Sequence, residues 1–143
     1  MNAQPDDVLD LAARFFTAVE RGDIDTVRSI YAPEARIWHN HDSTEQTVEQ
    51  NLRVLAWLAR HLPGRRYSVR RRVAIPGGFL QQHVLEGETA TGAFSMPACI
   101  VCEVADGRIT RLEEYLDSAQ AGHLRGLACG QAAMPRDSNQ PTP

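Results

Sequence analysis

The chain contains no lysine, and all 15 of its basic side chains are arginines. Schiff-base catalysis, the anchoring of pyridoxal phosphate and the phosphate-binding loop of many nucleotide-binding proteins each need a lysine, so the sequence excludes them. The sequence also has no Gly-x-Ser-x-Gly and no Gly-x-Gly-x-x-Gly motif, which leaves a serine hydrolase or a dinucleotide-binding enzyme without support. These absences narrow the range of possible chemistries.

Membrane-spanning runs and an excess of positive charge are absent as well. No apolar run approaches the roughly 20 residues that cross a bilayer, and the first residues have neither the basic start nor the apolar stretch of a secretion signal. The net charge of -3 gives no electrostatic reason to bind nucleic acid or an anionic membrane. These absences predict a cytoplasmic protein with neither a nucleic-acid nor a membrane partner.

Arginines cluster at positions 65–66 and 70–72. Nucleic-acid-binding surfaces interleave such charges with aromatic residues, whereas Tyr67 is the only aromatic residue in this stretch. Charged side chains on an edge strand also prevent edge-to-edge aggregation of sheets. We interpret the cluster as a solvated strand edge.

Cysteine is rare, with Cys99, Cys102 and Cys129 the only examples. The first two match Cys-x-x-Cys, but they lie in an apolar stretch, residues 98–104, that predicts a buried strand. Residues three apart on a strand point to opposite faces, so the two sulfur atoms would not converge on a metal or form a redox pair. We interpret both as small buried apolar side chains.

Apolar residues at spacings of three and four predict three helices in the first half of the chain. Acidic residues supply the N-caps of the first two, and glycine or proline ends each helix. The predicted helices run from Asp6 or Asp7 to Gly22, from Asp23 or Asp25 to Pro33, and from Ser43 or Thr44 to Pro63-Gly64.

The second half of the chain predicts a sheet. A short strand at residues 35–39 separates the second and third helices, and four long strands follow the third, at residues 66–75, 79–88, 93–104 and 108–116. A short helix at residues 119–127 closes the domain, and the polar composition from Cys129 onward predicts a disordered tail. The 143 residues therefore predict one domain, 1–128, and a tail, 129–143.

Residues 37–42 (IWHNHD) form a strand-like run that ends in groups able to move protons or bind a metal. A histidine titrates near neutral pH, so His39 can take up or release a proton under working conditions. Strand parity adds His83 and Glu114, because alternate residues of a strand share a face and Glu114 falls between two leucines on its face. If these faces all line the interior, His39, His83 and Glu114 converge there.

A metal site is the competing interpretation of the same residues. His39-x-His41 followed by Glu45 resembles the first half of the cupin metal motif. Pro33 and Leu52 stand where that motif has glycines, and Glu45 opens a predicted helix instead of lying on a strand. We therefore predict no metal, with a site of His39, His41, His83 and Glu114 as the alternative.

Several stretches of the chain resemble the nuclear transport factor 2-like superfamily. Residues 15–23 (FFTAVERGD) and 31–35 (YAPEA) are similar to the opening of its enzymatic members, and residues 106–115 (DGRITRLEEY) resemble their last hairpin. Those members include ketosteroid isomerases, limonene epoxide hydrolases, scytalone-type dehydratases and SnoaL-type polyketide cyclases. The resemblance covers residues 8–127. It implies an α+β fold in which three N-terminal helices close a cone-shaped, curved antiparallel sheet around a pocket.

The resemblance also implies positions for the site. His39 matches the proton-shuttling aspartate of the isomerases and a water-holding asparagine of the epoxide hydrolases. Glu114 matches a catalytic aspartate of the hydrolases, and His83 falls near their arginine. Phe15 and Pro97 stand where the isomerases have the tyrosine and the acid of their oxyanion hole, so the chain departs from that pattern.

On this resemblance we predict acid–base catalysis of dehydratase, isomerase or cyclase type, without a cofactor, on an apolar oxygenated small molecule. Epoxide hydrolase-like water addition and non-catalytic binding of a small molecule are the alternatives. We expect a homodimer through the outer face of the sheet, because both parities of its strands are apolar. The expected catalytic residues are His39, His83 and Glu114, and the expected substrate-binding residues are Phe15, Trp38, Asn40, Leu112 and Leu116.

Overall fold

A computed structural model describes residues 4–128 of the chain, so the tail predicted from residue 129 lies outside the described residues. No helix within this range is both long and apolar enough to cross a membrane. The elements in chain order are α1 (Pro5–Arg21), α2 (Ile24–Ile30), β1 (Tyr31–His39), β2 (Glu45–Gln46), α3 (Val48–His61), β3 (Arg66–Ile75), β4 (Gly78–Thr89), β5 (Gly92–Ala105), β6 (Arg108–Leu116) and α4 (Ser118–Ala128).

The strands form one curved, unclosed sheet in the order β2-β1-β6-β5-β4-β3. The four long strands β3 to β6 pair antiparallel in succession. β1 pairs parallel with β6, and β2 pairs antiparallel with β1 at the edge. The predicted α+β class, with a curved sheet and N-terminal helices, is confirmed. The parallel pair and the short β2 are features that the sequence analysis did not predict.

Helix α1 begins at Pro5, and its N-cap residue Gln4 makes no side-chain hydrogen bond. Proline is favoured at the first helical position because its missing N–H would have no partner there. Asp6 and Asp7 lie inside the first turn, where their charges favour the positive end of the helix dipole. The prediction that one of them is the N-cap is wrong. Gly22 ends the helix as predicted, with a φ of 73° that favours glycine.

The boundary between α2 and β1 lies earlier than predicted. Asp23 caps α2 as expected, accepting a hydrogen bond from the N–H of Thr26 at 3.2 Å. The helix ends at Ile30 instead of Pro33, because Tyr31 already pairs with Ile109 of β6. A tertiary contact with β6, which local spacing does not reveal, therefore sets the start of β1.

Helix α3 begins at Val48, later than the predicted start at Ser43 or Thr44. Ser43 has a φ of 55°, and a left-handed residue cannot belong to a right-handed helix. The true cap is Thr47. Its hydroxyl accepts from the N–H of Gln50 at 3.3 Å, and the Gln50 side chain accepts from the N–H of Thr47 at 2.7 Å. This capping box satisfies two N–H groups that the helix leaves unpaired.

The core consists of two apolar clusters on the inner face of the sheet, the face that carries Ile37, Leu112, Cys102 and Phe79 in one row. The first cluster joins α1, α2 and the start of α3 to that row. The second joins the end of α3 and α4 to the far ends of β4 and β5, through Trp57, Leu58, Leu62, Leu85, Phe94, Met96 and Leu124.

Cys99 and Cys102 lie on opposite faces of β5, as predicted. Cys102 is 1% exposed and pairs across the sheet with Phe79 and Leu112 of the inner row. Cys99 is half-buried and pairs with Tyr115 on the other face. Both thiols are free, and burial raises the pKa of each. The interpretation as a small buried apolar side chain therefore fits Cys102, whereas Cys99 is only half-buried.

The edge strand β3 contains a bulge that the sequence analysis missed. Val69 pairs with His83, but the next pair is Arg71 with Gln82, so Arg70 is an extra residue with no partner of its own. An extra residue in one strand reverses the facing of the residues that follow. The arginines were predicted to form a solvated strand edge, and Arg66, Arg70 and Arg71 are exposed as this predicts. The prediction is wrong for Arg65, which is 8% exposed, and for Arg72.

Candidate active site

Five strands each contribute one residue to a row across the inner face. Residues directly opposite each other in a sheet project to the same face, so their side chains adjoin one another. His83 lies two residues from the row along β4 and on the same face. From β1 to β3 the row consists of His39, Glu114, Ile100, Gln81 and Arg72.

His39 and Glu114 face each other in the parallel β1–β6 pair. Nε2 of His39 lies 3.1 Å from Oε1 of Glu114, and the two side chains are 11% and 15% exposed. An ionised carboxylate can only accept hydrogen bonds, so Nε2 carries the proton and donates. The structure thus brings these two predicted residues into direct contact.

Glu114 is ionised in this environment. Burial raises the pKa of its carboxyl, but the hydrogen bond from His39 and, at the acidic pH where a carboxyl group titrates, the positive charges of His39, His83 and His41 outweigh burial. The net effect holds the pKa of Glu114 below its usual range. The carboxylate is therefore a hydrogen-bond acceptor and not a proton donor at neutral pH.

The second ring nitrogen of His39, Nδ1, is buried and has no hydrogen-bond partner among residues 4–128. With the proton on Nε2, the lone pair of neutral imidazole is on Nδ1. A buried polar atom left unpaired costs about 1–3 kcal/mol, and such atoms point to a role outside the folded chain's own hydrogen bonding. Nδ1 of His39 is therefore the basic atom of the pair.

Asn40 fixes the position of this pair at the end of β1. Its N–H donates to the carbonyl of Glu114 at 3.1 Å. Its side chain accepts from the N–H of Leu116 at 2.9 Å and donates to the Leu116 carbonyl at 3.3 Å. The side-chain amide thus extends the β1–β6 hydrogen-bond pattern by one residue. Because both of its polar atoms bond to the Leu116 backbone, these bonds do not support the predicted contact of Asn40 with substrate.

His83 is 2% exposed and sits among aromatic rings. The ring of Tyr67 lies 4.9 Å from its ring, and that of Phe16 lies 5.7 Å away. Nδ1 of His83 is 3.0 Å from Nε2 of Gln81, while its own Nε2 is buried without a partner among residues 4–128. His83 therefore also has one engaged and one unengaged ring nitrogen.

The protonation of His83 is controlled mainly by burial. Burial lowers its pKa, the charge of Glu114 raises it and that of Arg72 lowers it, and the net pKa lies below the usual value. His83 is therefore a neutral imidazole at neutral pH.

A second histidine–carboxylate pair adjoins the first. Nε2 of His41 lies 3.5 Å from Oδ2 of Asp42, and the rings of His39 and His41 are 5.7 Å apart. Within residues 4–128, no group of three or more histidine, cysteine or acidic side chains is arranged to hold a metal ion. The alternative metal site at His39, His41, His83 and Glu114 thus finds no support in the geometry.

The other residues predicted to bind substrate divide between the two faces. Leu112 and Leu116 share the face of Glu114, with Leu112 fully buried. Phe15 is 2% exposed, and its ring packs against those of Phe16 and Tyr31.

Trp38 lies on the outer face, next to Tyr115 at a ring distance of 5.3 Å. A neighbour of His39 along a strand must face the other way, so Trp38 cannot contact the inner site. Tyr115 is 49% exposed on that outer face. Dimerisation through the outer face stays a prediction.

Sequence reasoning missed three residues that contact His83 or its neighbours. Phe16 and Tyr67 pack on the His83 ring, and Arg72 donates to Gln81 at 2.6 Å. Parity did place Gln81 on the face of His83. The inward facing of Arg72 was not predicted, because it depends on the bulge at Arg70, which leaves no mark in the pattern of apolar residues.

A groove of about 1040 Å³ lies at another end of the molecule. It runs between the start of α1 and the turns that join β3 to β4 and β5 to β6, and its lining includes Asp7 and Asp106 but no predicted site residue. Neither a histidine nor a cysteine lines it. The predicted site residues His39, Glu114 and His83 lie instead on the inner face of the sheet.

The curved sheet covered by N-terminal helices is a nuclear transport factor 2-like fold. The chain belongs to the SnoaL-like domain family, whose sequence model matches residues 12–112. No curated protein matches it.

Solved structures of low sequence identity share the fold. PrhC from Penicillium brasilianum superposes with a TM-score of 0.80 at 9% identity, over 90% of this chain and 92% of its own. IdmH from Streptomyces antibioticus, a proposed polyketide cyclase, superposes with a TM-score of 0.72 at 23% identity, over 82% of this chain and 96% of its own. An LEH-like epoxide hydrolase from M. tuberculosis superposes with a TM-score of 0.70 at 22% identity, over 88% of this chain and 96% of its own.

Proposed function

We propose that the protein is a cofactor-independent enzyme of dehydratase, isomerase or cyclase type. The observation that carries this proposal is the buried pair of His39 and Glu114, with 3.1 Å between Nε2 and Oε1. A histidine whose N–H is held by a carboxylate has its lone pair on the other nitrogen and its imidazolium form stabilised. This is the arrangement of a general base.

In this mechanism Nδ1 of His39 removes a proton from a carbon next to a carbonyl group. The positive charge that then forms on the imidazole ring is stabilised by the Glu114 carboxylate. The negative charge moves to the carbonyl oxygen as an enolate, and the proton later returns from His39 to another atom of the substrate. Depending on which bond the enolate forms or breaks, the outcome is isomerisation, loss of water or an aldol-type ring closure.

The surroundings favour an apolar, oxygenated substrate. Ile100 lies next to Glu114 in the row, and Leu112 and Leu116 flank Glu114 along β6. Such side chains recognise hydrocarbon, while the two histidines supply the polar contacts that orient an oxygen. The proposed polyketide cyclase IdmH has the same fold, and a polycyclic ketone is the substrate class that we infer here.

The test follows proton transfer directly. Protein in deuterated water is incubated with a panel of cyclic 1,3-diketones, polycyclic hydroxyketones and a cyclic epoxide, and deuterium uptake or turnover is followed by mass spectrometry. General acid–base groups contribute about 10²- to 10⁴-fold, so His39→Gln should lose activity on this scale.

His61→Gln is the matched control, because His61 stacks on Trp57 and bonds to its backbone carbonyl instead of lying in the row. Full turnover in His39→Gln would refute the proposal. Hydration of the epoxide alone would favour the hydrolase-like alternative. Tight binding of a ketone without any exchange would favour a binding protein.

A further inference from the structure

Arg72 is the one charged residue of the row that the proposed mechanism does not use. The bulge at Arg70 turns it to the inner face, where it pairs with Gln81. Its guanidinium lies 5.7 Å above the ring of Phe16, and burial lowers its pKa. Bulges often redirect a side chain next to an active site, so a bulge that turns a charged side chain inward suggests a function for that side chain.

The hydrogen bonds from Arg72 have a fixed direction. An arginine can only donate, so the atom of Gln81 that Arg72 Nε approaches at 2.6 Å must be the amide oxygen. The amide nitrogen of Gln81 then faces Nδ1 of His83, at 3.0 Å. An amide nitrogen can also only donate, so Nδ1 of His83 must accept.

A neutral imidazole that accepts at Nδ1 carries its proton on Nε2. We infer that Arg72 is a positioning residue that acts through Gln81 to hold His83 as the neutral Nε2–H tautomer, with that N–H presented to the substrate's oxygen. The inference deepens the proposed function, because an enolate oxygen needs a hydrogen-bond donor and His83 Nε2 has no partner among residues 4–128.

Burial and charge act in the same direction as this chain of hydrogen bonds. Gln81 has no exposed surface, so water does not compete for its amide. The charged and titratable groups around His83 are Glu114, which favours its protonation, Arg72, which opposes it, and the neutral phenol of Tyr67. Without the donor at Nδ1, the nearby Glu114 carboxylate would favour a second proton on the ring.

The experiment reads the His83 tautomer directly, without a substrate. Protein labelled with 15N at histidine is studied by NMR at neutral pH, and the His83 ring signals are assigned by their loss in His83→Gln. We expect the wild type to show the proton on Nε2 alone. Arg72→Met should give a mixture of the two tautomers, because the Gln81 amide is then free to rotate.

Arg71→Met is the matched control. Arg71 neighbours Arg72 on the same strand, is exposed and pairs with Gln82 on the other face, so this variant should keep the wild-type tautomer. Gln81→Glu replaces the amide donor with an acceptor of the same shape. Most of the His83 population should then carry a proton on Nδ1.

An Nδ1–H tautomer or an imidazolium in the wild type at neutral pH would overturn the inference, and so would an unchanged tautomer in both Arg72→Met and Gln81→Glu. These results do not depend on turnover. If His39→Gln keeps full activity while the tautomer behaves as expected, the proposed base is wrong but the role of Arg72 stands.

Discussion

The β1–β6 half and the β3–β4 half of the inner face each hold one buried histidine, and the two histidines have opposite partners. His39 meets Glu114, which can only accept, whereas His83 meets the amide nitrogen of Gln81, which can only donate. Both rings therefore carry the proton on Nε2. In His39 that N–H is engaged and the lone pair is available, while in His83 the lone pair is engaged and the N–H is available.

Under the proposed function, this difference gives two roles to one residue type. The intrinsic pKa of a histidine suits both proton uptake and proton donation, so the neighbouring residue decides between them. In that function, the acceptor Glu114 on β6 leaves His39 to act as the base, and the donor Gln81 on β4 leaves His83 to act as a hydrogen-bond donor. Pairs of titratable groups whose surroundings shift their pKa values in different directions are a general sign of acid–base sites.

The largest effect, a loss of stability, is expected from truncating Phe16, which packs against His83 in the β3–β4 half. Phe16 is 4% exposed and contacts the rings of Tyr67, Phe79 and His83. Truncating a buried phenylalanine to alanine costs about 3–5 kcal/mol, so Phe16→Ala should lower the free energy of unfolding in urea by that amount. The His83 NMR signals should broaden or shift because a wall of its site is lost.

Phe15→Ala is the control that separates stability from the site. Phe15 is equally buried, and its ring contacts those of Phe16 and Tyr31 but not that of His83, so Phe15→Ala should cost similar stability but change the His83 signals less than Phe16→Ala does. Identical changes at His83 in both variants would show that the two halves are not independent.

The sequence predicts this two-part site incompletely, for physical reasons. Strand parity indicated which residues share a face with His39, His83 or Glu114 within each strand, because alternation along a strand is a local property. That the three faces coincide was a condition of the prediction. The facing of Arg72 depends on a bulge, and the contact of His39 with Glu114 depends on the parallel pairing of β1 with β6. Both are properties of the assembled sheet.

Helix boundaries show the same division. Local chemistry correctly predicted the stop at Gly22 and the cap at Asp23, since both act within a few residues. The start of α3 was predicted too early because Ser43 and Thr44 are common cap residues, while Thr47 with Gln50 forms the actual capping box. A turn and the short strand β2 occupy the intervening residues.

A smaller effect is expected from neutralising the acceptor of the β1–β6 half. A hydrogen bond to a charged group contributes about 1.5–3 kcal/mol, so Glu114→Gln should reduce turnover roughly 10- to 100-fold without unfolding the protein. Glu113→Gln is the matched control, because Glu113 pairs with Arg111 at 3.1 Å and its side chain is 36% exposed. Equal losses in both variants would contradict a specific role for Glu114.

The same substitution has a pH signature with a defined sign. The pKa of Glu114 is lowered in the folded protein, so its contribution to stability is complete above the ordinary glutamate pKa of about 4.3. That contribution is lost as the pH falls through the lowered value. The stability difference between the wild type and Glu114→Gln should therefore shrink in acid, which urea titrations at a series of pH values would measure.

The smallest effect is expected from the pH dependence that His83 adds to stability. Its folded pKa is lowered, mainly by burial, so the unfolded chain binds more protons than the folded protein once the pH falls below the ordinary histidine value of about 6.5. Wild-type stability should therefore decline from about pH 7 to about pH 5, and His83→Gln should show a shallower decline. A constant offset between the two curves reflects lost packing and does not affect this comparison. The pH range in which Glu114 affects stability lies lower, so the two halves of the site can be titrated separately. If the slope of stability against pH were the same in His83→Gln as in the wild type, His83 would not be held neutral by its surroundings.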